Sequence, residues 1–198
     1  MPRPPRSSDT PVLQPPPGEP DLREAALRHL ARYATTRAGL LRVLHRRIDR
    51  WARQAEEGSV AGVAEAVATA RAAAARAVAA LAAAGAVSDA EFALGRARSL
   101  VRTGRSRRAV TAHLASRGVD AELARQMVPE DPEVELASAL TLARRRRIGP
   151  FRDGEADEAG RRRELGVLAR AGFPRPVAAR ALEMERDEAE EIVLALRR

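Results

Sequence analysis

The chain has 198 residues and a formal net charge of +8, with 35 lysines and arginines against 27 aspartates and glutamates. Lysine is absent, so all 35 cations are arginines, and sites that need a P-loop or Schiff-base lysine are excluded. Cysteine is also absent, which excludes thiol nucleophiles, zinc–thiolate sites, iron–sulfur clusters and disulfides. Aromatic residues make up only 3% of the chain, so alanine, leucine and valine must build its core.

The N-terminal segment differs in composition from the rest of the chain. Residues 1–20 hold eight of the thirteen prolines, which predicts a disordered, partly polyproline-like tail. No apolar stretch follows its first arginines, so a secretory signal is not expected. Arg71 and Arg76 interrupt the most alanine-rich segment, so no uninterrupted apolar run of about 20 residues is available to span a bilayer. We therefore expect a soluble cytoplasmic protein without membrane association.

Helical patterns begin at residue 21. Asp21 is the predicted N-cap of a first helix, whose apolar residues recur every three or four positions up to Tyr33. A second helix carries its apolar stripe from Leu41 to Trp51 and ends by Gly58. The next segment, 61–86, contains sixteen alanines in 26 residues and predicts a third, long helix.

The rest of the chain is predicted as shorter helices. A capping box at Ser88–Glu91 opens a helix that runs to Gly104. Two short helices follow at about 106–117 and 120–128, the second with Asp120 as its N-cap, and Pro129 and Pro132 then break the chain. Further helices are predicted to about 147, and at 161–171 and 174–184, after an acidic loop at 153–158. No segment alternates apolar and polar residues as a strand does, so the predicted fold class is all-α.

An internal repeat relates the two short helix pairs at an offset of 54 residues. Its aligned positions pair Leu114 with Leu168, Gly118 with Gly172, Val119 with Phe173, and Leu123 with Val177. Each glycine is predicted to end a helix with a positive φ, after which an apolar residue folds back on the last turn. We therefore predict an elongated array of three tandem three-helix modules, at 21–86, 87–129 and 130–198, behind the tail at 1–20.

Catalytic and metal-binding patterns are not recognisable in the sequence. His29, His45 and His113 are far apart, and none has a second ligand-type residue at metal spacing on its helix. There is no nucleophile elbow and no glycine-rich phosphate loop. We expect no enzymatic activity, no cofactor and no bound metal.

Arginine placement is more informative than arginine number. Residues 92–119 contain no acidic residue, whereas a solvated surface ordinarily mixes both signs. The candidate partner-binding residues in this stretch are Arg96, Arg98, Arg102, Arg105, Arg107, Arg108 and Arg117. Three of them stand at the start of a helix, where cations oppose the helix dipole. This placement points to phosphate or carboxylate ligands, while an arginine-rich composition that lacks acids here by chance remains the competing interpretation.

The sequence resembles the RecX family of recombinase regulators. The central residues that carry the resemblance are Val87–Ala93, then Arg96, Arg98, Arg102, Gly104, Arg107 and Leu114 at the family's spacing, and Gly118–Asp120. Residues 26–37 are similar to the family's opening helix, and 168–173 to the turn of its third module. The resemblance implies a protein that lies along the RecA filament and restrains its ATPase, strand-exchange and coprotease activities. It does not say whether the arginines contact RecA or DNA.

Two other functions remain open. A non-specific DNA-binding protein would use Arg105, Arg107 and Arg108 on phosphates of single- or double-stranded DNA. The scarcity of aromatic residues argues against sequence-specific recognition of a single strand. A helical adaptor with an unrelated partner is the third possibility. In each case we expect a monomer.

Overall fold

The computed structural model describes residues 15–196, and all regular structure in that range is helical. Its α-helices are α1 (Glu19–Leu30), α2 (Arg37–Glu57), α3 (Val63–Ala83), α4 (Asp89–Arg102), α5 (Arg107–Ser116), α6 (Ala121–Met127), α7 (Pro132–Arg146), α8 (Glu158–Arg170), α9 (Arg175–Glu183) and α10 (Arg186–Ala195). A single 3₁₀ turn, Gly149–Phe151, follows α7. The predicted all-α class is confirmed. The first 14 residues of the predicted tail lie outside the described residues.

The chain forms two compact units, the first ending at Ser88 and the second beginning at Asp89. In the first unit, α1 begins earlier than the sequence predicts, so the assignment of Asp21 as N-cap is wrong. Gly18 is the N-cap, and Pro20 occupies the first turn, where a missing N–H is tolerated. The Asp21 carboxylate instead accepts a hydrogen bond from the Gly18 amide at 3.1 Å.

Alanines of α3 make the close contacts in the core of the first unit. Leu22 from α1 and Leu44 and Ile48 from α2 are fully buried against Ala74 and its neighbours. By length and composition alone, α3 is also the one helix of residues 15–196 that could cross a membrane. Its Arg71 forms a 3.0 Å ion pair with Asp49 of α2. One face of α3, with Ala70, Ala73 and Ala74, packs inside the unit, while the alanines of the opposite face are exposed.

The second unit contains two apolar cores. Helices α4–α6 enclose one, whose buried members include Val110 and Leu114. Helices α7–α10 enclose the other around Leu140, Phe151 and Leu168. Leu196 packs against the first of these cores, although it follows α10. The division into modules at 87–129 and 130–198 stays a prediction.

The repeated turn has the predicted backbone conformation. Gly118 and Gly172 have φ angles of +88° and +92°. After each glycine the chain folds back, since the Val119 amide donates to the Leu114 carbonyl at 3.1 Å and the Phe173 amide to the Leu168 carbonyl at 3.2 Å. These are Schellman-type helix ends, and the prediction made from the aligned glycines is confirmed.

Ser106 joins the two cores of the second unit. Its buried hydroxyl accepts a hydrogen bond from the Ala109 amide, which caps α5, and donates one to the Ala171 carbonyl at 2.6 Å. A Cβ on Gly172 would lie 2.8 Å from the same hydroxyl. The turn after α8 therefore packs closely on the first turn of α5.

Replacing Ser106 by alanine is expected to destabilise the second unit by about 1–3 kcal/mol. The variant loses the N-cap of α5 and leaves the Ala171 carbonyl without its donor. Urea unfolding followed by circular dichroism measures the loss. Ser116→Ala is the control, because the Ser116 hydroxyl is exposed and bonds only to the His113 carbonyl of its own helix. Equal stability of the two variants would contradict the assigned role.

Candidate partner-binding surface

The seven candidate arginines lie on two consecutive helices and the turn between them. Arg96, Arg98 and Arg102 belong to α4, while Arg105 lies in the α4–α5 turn. The remaining three are at the ends of α5: Arg107 and Arg108 open the helix, and Arg117 is its C-cap. A tight turn at Gly104, with φ of +80°, brings the end of α4 to the start of α5. All seven candidates thus belong to one helical hairpin, formed by α4 and α5.

Acidic residues of the α6–α7 segment compensate Arg107. The Glu135 carboxylate accepts a 2.9 Å hydrogen bond from the Arg107 amide and so supplies negative charge to the first turn of α5. Burial raises the pKa of Glu135, while its contacts with Arg107 act in the opposite direction. The Arg107 guanidinium forms a 3.2 Å ion pair with Glu130. Two carboxylates of the fold therefore compensate the unfavourable position of the Arg107 charge at the start of α5. The sequence pattern did not reveal them.

His113 lies among three of the candidate arginines. Arg96 Nε donates a hydrogen bond to His113 Nε2 at 3.2 Å, so this nitrogen acts as an acceptor of an uncharged ring. The pKa of His113 is lowered by burial first and then by the positive charges of Arg96, Arg117 and Arg105. The positive charges of Arg96, Arg105 and Arg117 therefore all act on the His113 ring.

Four of the candidates are available to a ligand. Arg98, Arg102, Arg105 and Arg108 are exposed, and none forms an ion pair within residues 15–196. They contrast with Arg107, whose side chain is engaged by Glu130. Exposed arginines that form no ion pair keep their full capacity to donate paired hydrogen bonds to phosphate or carboxylate oxygens.

A basic cleft connects Arg105 with three arginines outside the candidate stretch. The cleft has a volume of about 490 Å³ and is lined by Arg105, Arg145, Arg146 and Arg170 but by no acidic residue. Arg145 donates to the Thr103 carbonyl at 3.2 Å, and no side-chain partner of the other three occurs in the described part of the chain. The last turns of α7 and α8 supply the three added arginines, and cations are also stabilised electrostatically at such positions. Stabilisation by the helix dipole does not explain why four arginines line the same cleft.

Arg107 and Arg108 line a different groove. This groove, of about 650 Å³, is mainly apolar and runs between α5 and the prolines Pro129, Pro132 and Pro174. The structure therefore does not gather the seven candidates into one patch. Arg96, Arg105 and Arg117 lie around His113, and Arg105 also lines the basic cleft. Arg107 and Arg108 line the separate apolar groove. Across residues 15–196, no three His, Asp or Glu side chains are grouped as a metal site requires.

Comparison with characterised sequences identifies the family. The chain is 36% identical to "Regulatory protein RecX" of Myxococcus xanthus strain DK1622 over 167 residues, which cover 82% of this chain and 84% of that protein. The chain belongs to the RecX family. A second relative, the RecX regulatory protein of Agrobacterium fabrum strain C58, is 37% identical over 59 residues. That shorter match covers 30% of this chain and 32% of the Agrobacterium protein.

The family model described as "RecX, second three-helix domain" matches residues 88–128. The matched segment contains all seven candidate arginines, so the acid-free stretch at 92–119 lies within it. Arg145, Arg146 and Arg170 lie outside the matched segment, and only the tertiary structure joins them to Arg105. A sequence signal for them exists in retrospect, because each stands in the last turn of a helix without a nearby acid in the chain. The family relationship is to regulatory proteins rather than to a class of enzymes.

Proposed function

We propose that this protein binds the RecA–DNA filament in the cytoplasm and lowers the ATPase, strand-exchange and coprotease activities of RecA. The observation that carries the proposal is the relationship to RecX regulatory proteins over 82% of the chain. In this role the protein acts in recombination, DNA repair and the SOS response as a regulator without chemistry of its own.

The charge distribution supports a polyanionic or acidic partner of this kind. The RecA–DNA filament offers both acidic protein surface and DNA phosphates, and the exposed arginines of α4 and the basic cleft can pair with either. Arg105 lies both among the arginines around His113 and in the basic cleft. We therefore place it at the centre of the contact with the filament.

The test is the rate of ATP hydrolysis by RecA on single-stranded DNA, with and without the purified full-length protein. The expected result is a lower steady-state rate that saturates as the protein approaches a fixed ratio to RecA. Co-sedimentation with the filament should follow the same concentration dependence. An unchanged rate at stoichiometric amounts, with no co-sedimentation, would refute the proposal.

Non-specific DNA binding is the second candidate function, and the basic cleft around Arg105, which no acidic residue lines, favours it. It predicts binding to DNA without RecA and a steep loss of affinity with salt, by about one log unit in the binding constant per log unit of salt for each phosphate contacted. Among its three candidate contacts, Arg107 is paired with Glu130, so substitution of Arg105 and Arg108 alone is the cleaner probe. Equal affinity for bare DNA and for the filament would favour this function.

A further inference from the structure

The basic cleft of the second unit gathers four positive charges in a volume of about 490 Å³. They come from three separate segments of the chain. Arg105 belongs to the turn between α4 and α5, Arg145 and Arg146 to the last turn of α7, and Arg170 to the last turn of α8. Because α4 and α5 enclose one apolar core of this unit and α7 and α8 the other, the cleft is shared by segments of both cores.

The cleft arginines have little negative charge of their own to pair with. The nearest acid along α8, Glu164, is engaged by Arg152 at 2.8 Å, and both of these side chains are largely buried. Arg145 is held through one guanidinium nitrogen by the Thr103 carbonyl, which leaves its other donors available. The guanidinium of Arg170 lies against its own helix. Four donor groups of the cleft are thus positioned without being neutralised in residues 15–196.

The helix ends account for only part of this charge. The carboxyl ends of α4, α7 and α8 adjoin the cleft, and each carries a partial negative charge of about half an elementary charge. Three such ends offset less than half of the four arginine charges. The remaining repulsion between the guanidinium groups costs stability, and an anion in the cleft would remove it.

Apolar residues also line the cleft. Leu142 is buried, and Val167 and Ala171 are half-buried. Apolar surroundings reduce the screening of charge by water, so contacts between guanidinium groups and an anion are stronger there than on an open surface. No aromatic residue of the described chain lines the cleft, so a base or another planar group finds nothing to stack on.

We propose that the cleft binds a free oligophosphate, a chain of about three phosphoryl groups as in inorganic tripolyphosphate or the triphosphate of a nucleotide. Such a ligand carries several negative charges in a small volume, and guanidinium groups donate paired hydrogen bonds to its oxygens. Successive phosphates of DNA are separated by a sugar, and an acidic side chain presents a single carboxylate. The filament therefore engages this cleft with fewer charges than an oligophosphate does. Ligand and filament exclude each other from the cleft, a consequence that rests on the proposed function.

The experiment titrates the full-length protein with sodium tripolyphosphate in a calorimeter, without RecA, DNA or Mg²⁺. We expect saturable binding, and a rise in melting temperature of about 5–15 °C at a ligand concentration about 100 times the dissociation constant. ATP should bind within about threefold of tripolyphosphate, because a base gains affinity chiefly by stacking on an aromatic side chain. Orthophosphate at equal ionic strength should bind about 5- to 25-fold more weakly, because it offers fewer charged contacts.

Arg146→Ala combined with Arg170→Ala tests the position of the ligand. The double variant should bind tripolyphosphate about 5- to 25-fold more weakly, since each exposed ion pair contributes about two- to fivefold. Arg161→Ala with Arg175→Ala is the matched control, because it changes the net charge equally and both residues are exposed outside the cleft. It should bind within about twofold of the unsubstituted protein, since salt screens distant charges. Circular dichroism should show the same helical content for all variants.

Two results would overturn the oligophosphate site. One is an equal loss of affinity in the two double variants, and the other is orthophosphate that binds as tightly as tripolyphosphate. The RecA ATPase assay separates this failure from that of the filament function. A protein that inhibits RecA but does not bind tripolyphosphate refutes the oligophosphate site alone. A protein that binds tripolyphosphate but leaves RecA unaffected refutes the filament function and, with it, the mutual exclusion.

Discussion

Replacing Gly104 by alanine is expected to destabilise the second unit by about 2–5 kcal/mol. Gly104 has a φ of +80°, a conformation that costs an L-residue about 1–2 kcal/mol. A Cβ at this position would also lie 2.8 Å from the Leu142 amide nitrogen and 3.1 Å from the Ser138 carbonyl oxygen. Both atoms belong to the backbone of α7, so the clash can be relieved only by moving a helix, at an additional cost of about 1–3 kcal/mol.

Gly154→Ala separates these two contributions. Gly154 has the same φ of +80° and lies in the same unit, but no atom comes within 4 Å of the position that its Cβ would occupy. Its substitution should cost only the conformational part, about 1–2 kcal/mol. Urea unfolding measures the two losses, and amide hydrogen exchange of α4 and α7 assigns them to the second unit. Equal losses for both variants would show that the approach of Gly104 to α7 is not tightly packed.

Removing the charge of the basic cleft is expected to weaken binding to the RecA–DNA filament by about 10- to 100-fold. The variant combines Arg105→Ala, Arg146→Ala and Arg170→Ala, and each exposed ion pair with the filament contributes about 0.5–1 kcal/mol. Inhibition of RecA ATPase should require correspondingly more protein. Because these three guanidinium groups form no ion pair in residues 15–196, the fold should retain its thermal stability.

The matched control for the cleft is a triple variant with the same change in net charge. Arg23, Arg161 and Arg175 are exposed and lie outside the cleft, so their replacement by alanine should reduce filament affinity far less. The comparison distinguishes a local contact from general attraction between a basic protein and a polyanion, which depends on net charge and salt. Similar losses for the two variants would contradict a role for the cleft.

Local features of the fold were predictable because short-range interactions determine them. Asp120 caps α6 as its sequence predicts, accepting hydrogen bonds from the Glu122 and Leu123 amides. The aligned glycines at 118 and 172 end their helices in the expected conformation. The start of α1 differs from its predicted position, since Pro20 is accepted within the first turn and Asp21 caps from inside the helix. Glycine and aspartate are both favoured at an N-cap, so the local sequence alone does not choose between Gly18 and Asp21.

Only part of the candidate surface could be predicted from the sequence. The acid-free stretch from Arg96 to Arg117 identified exposed cations on one hairpin, because neighbours in a helix share their surroundings. The role of Arg107 could not be inferred, since its compensating carboxylates, Glu130 and Glu135, lie more than twenty residues further along the chain. These contacts form only when the segment from Glu130 to Glu135 folds back against the start of α5.

The excess of arginine, the lack of lysine and cysteine, the all-helical pattern and the repeated turns follow from the sequence by itself. They depend on composition or on residues a few positions apart, and such interactions already exist in a single helix or turn. The tertiary structure alone decides which arginines act together. It joins Arg105 to the ends of α7 and α8, and it places Tyr33 beside Arg46 and Arg50. Burial of apolar faces brings these distant segments together, so the charge patterns that result are a consequence of packing rather than of local sequence.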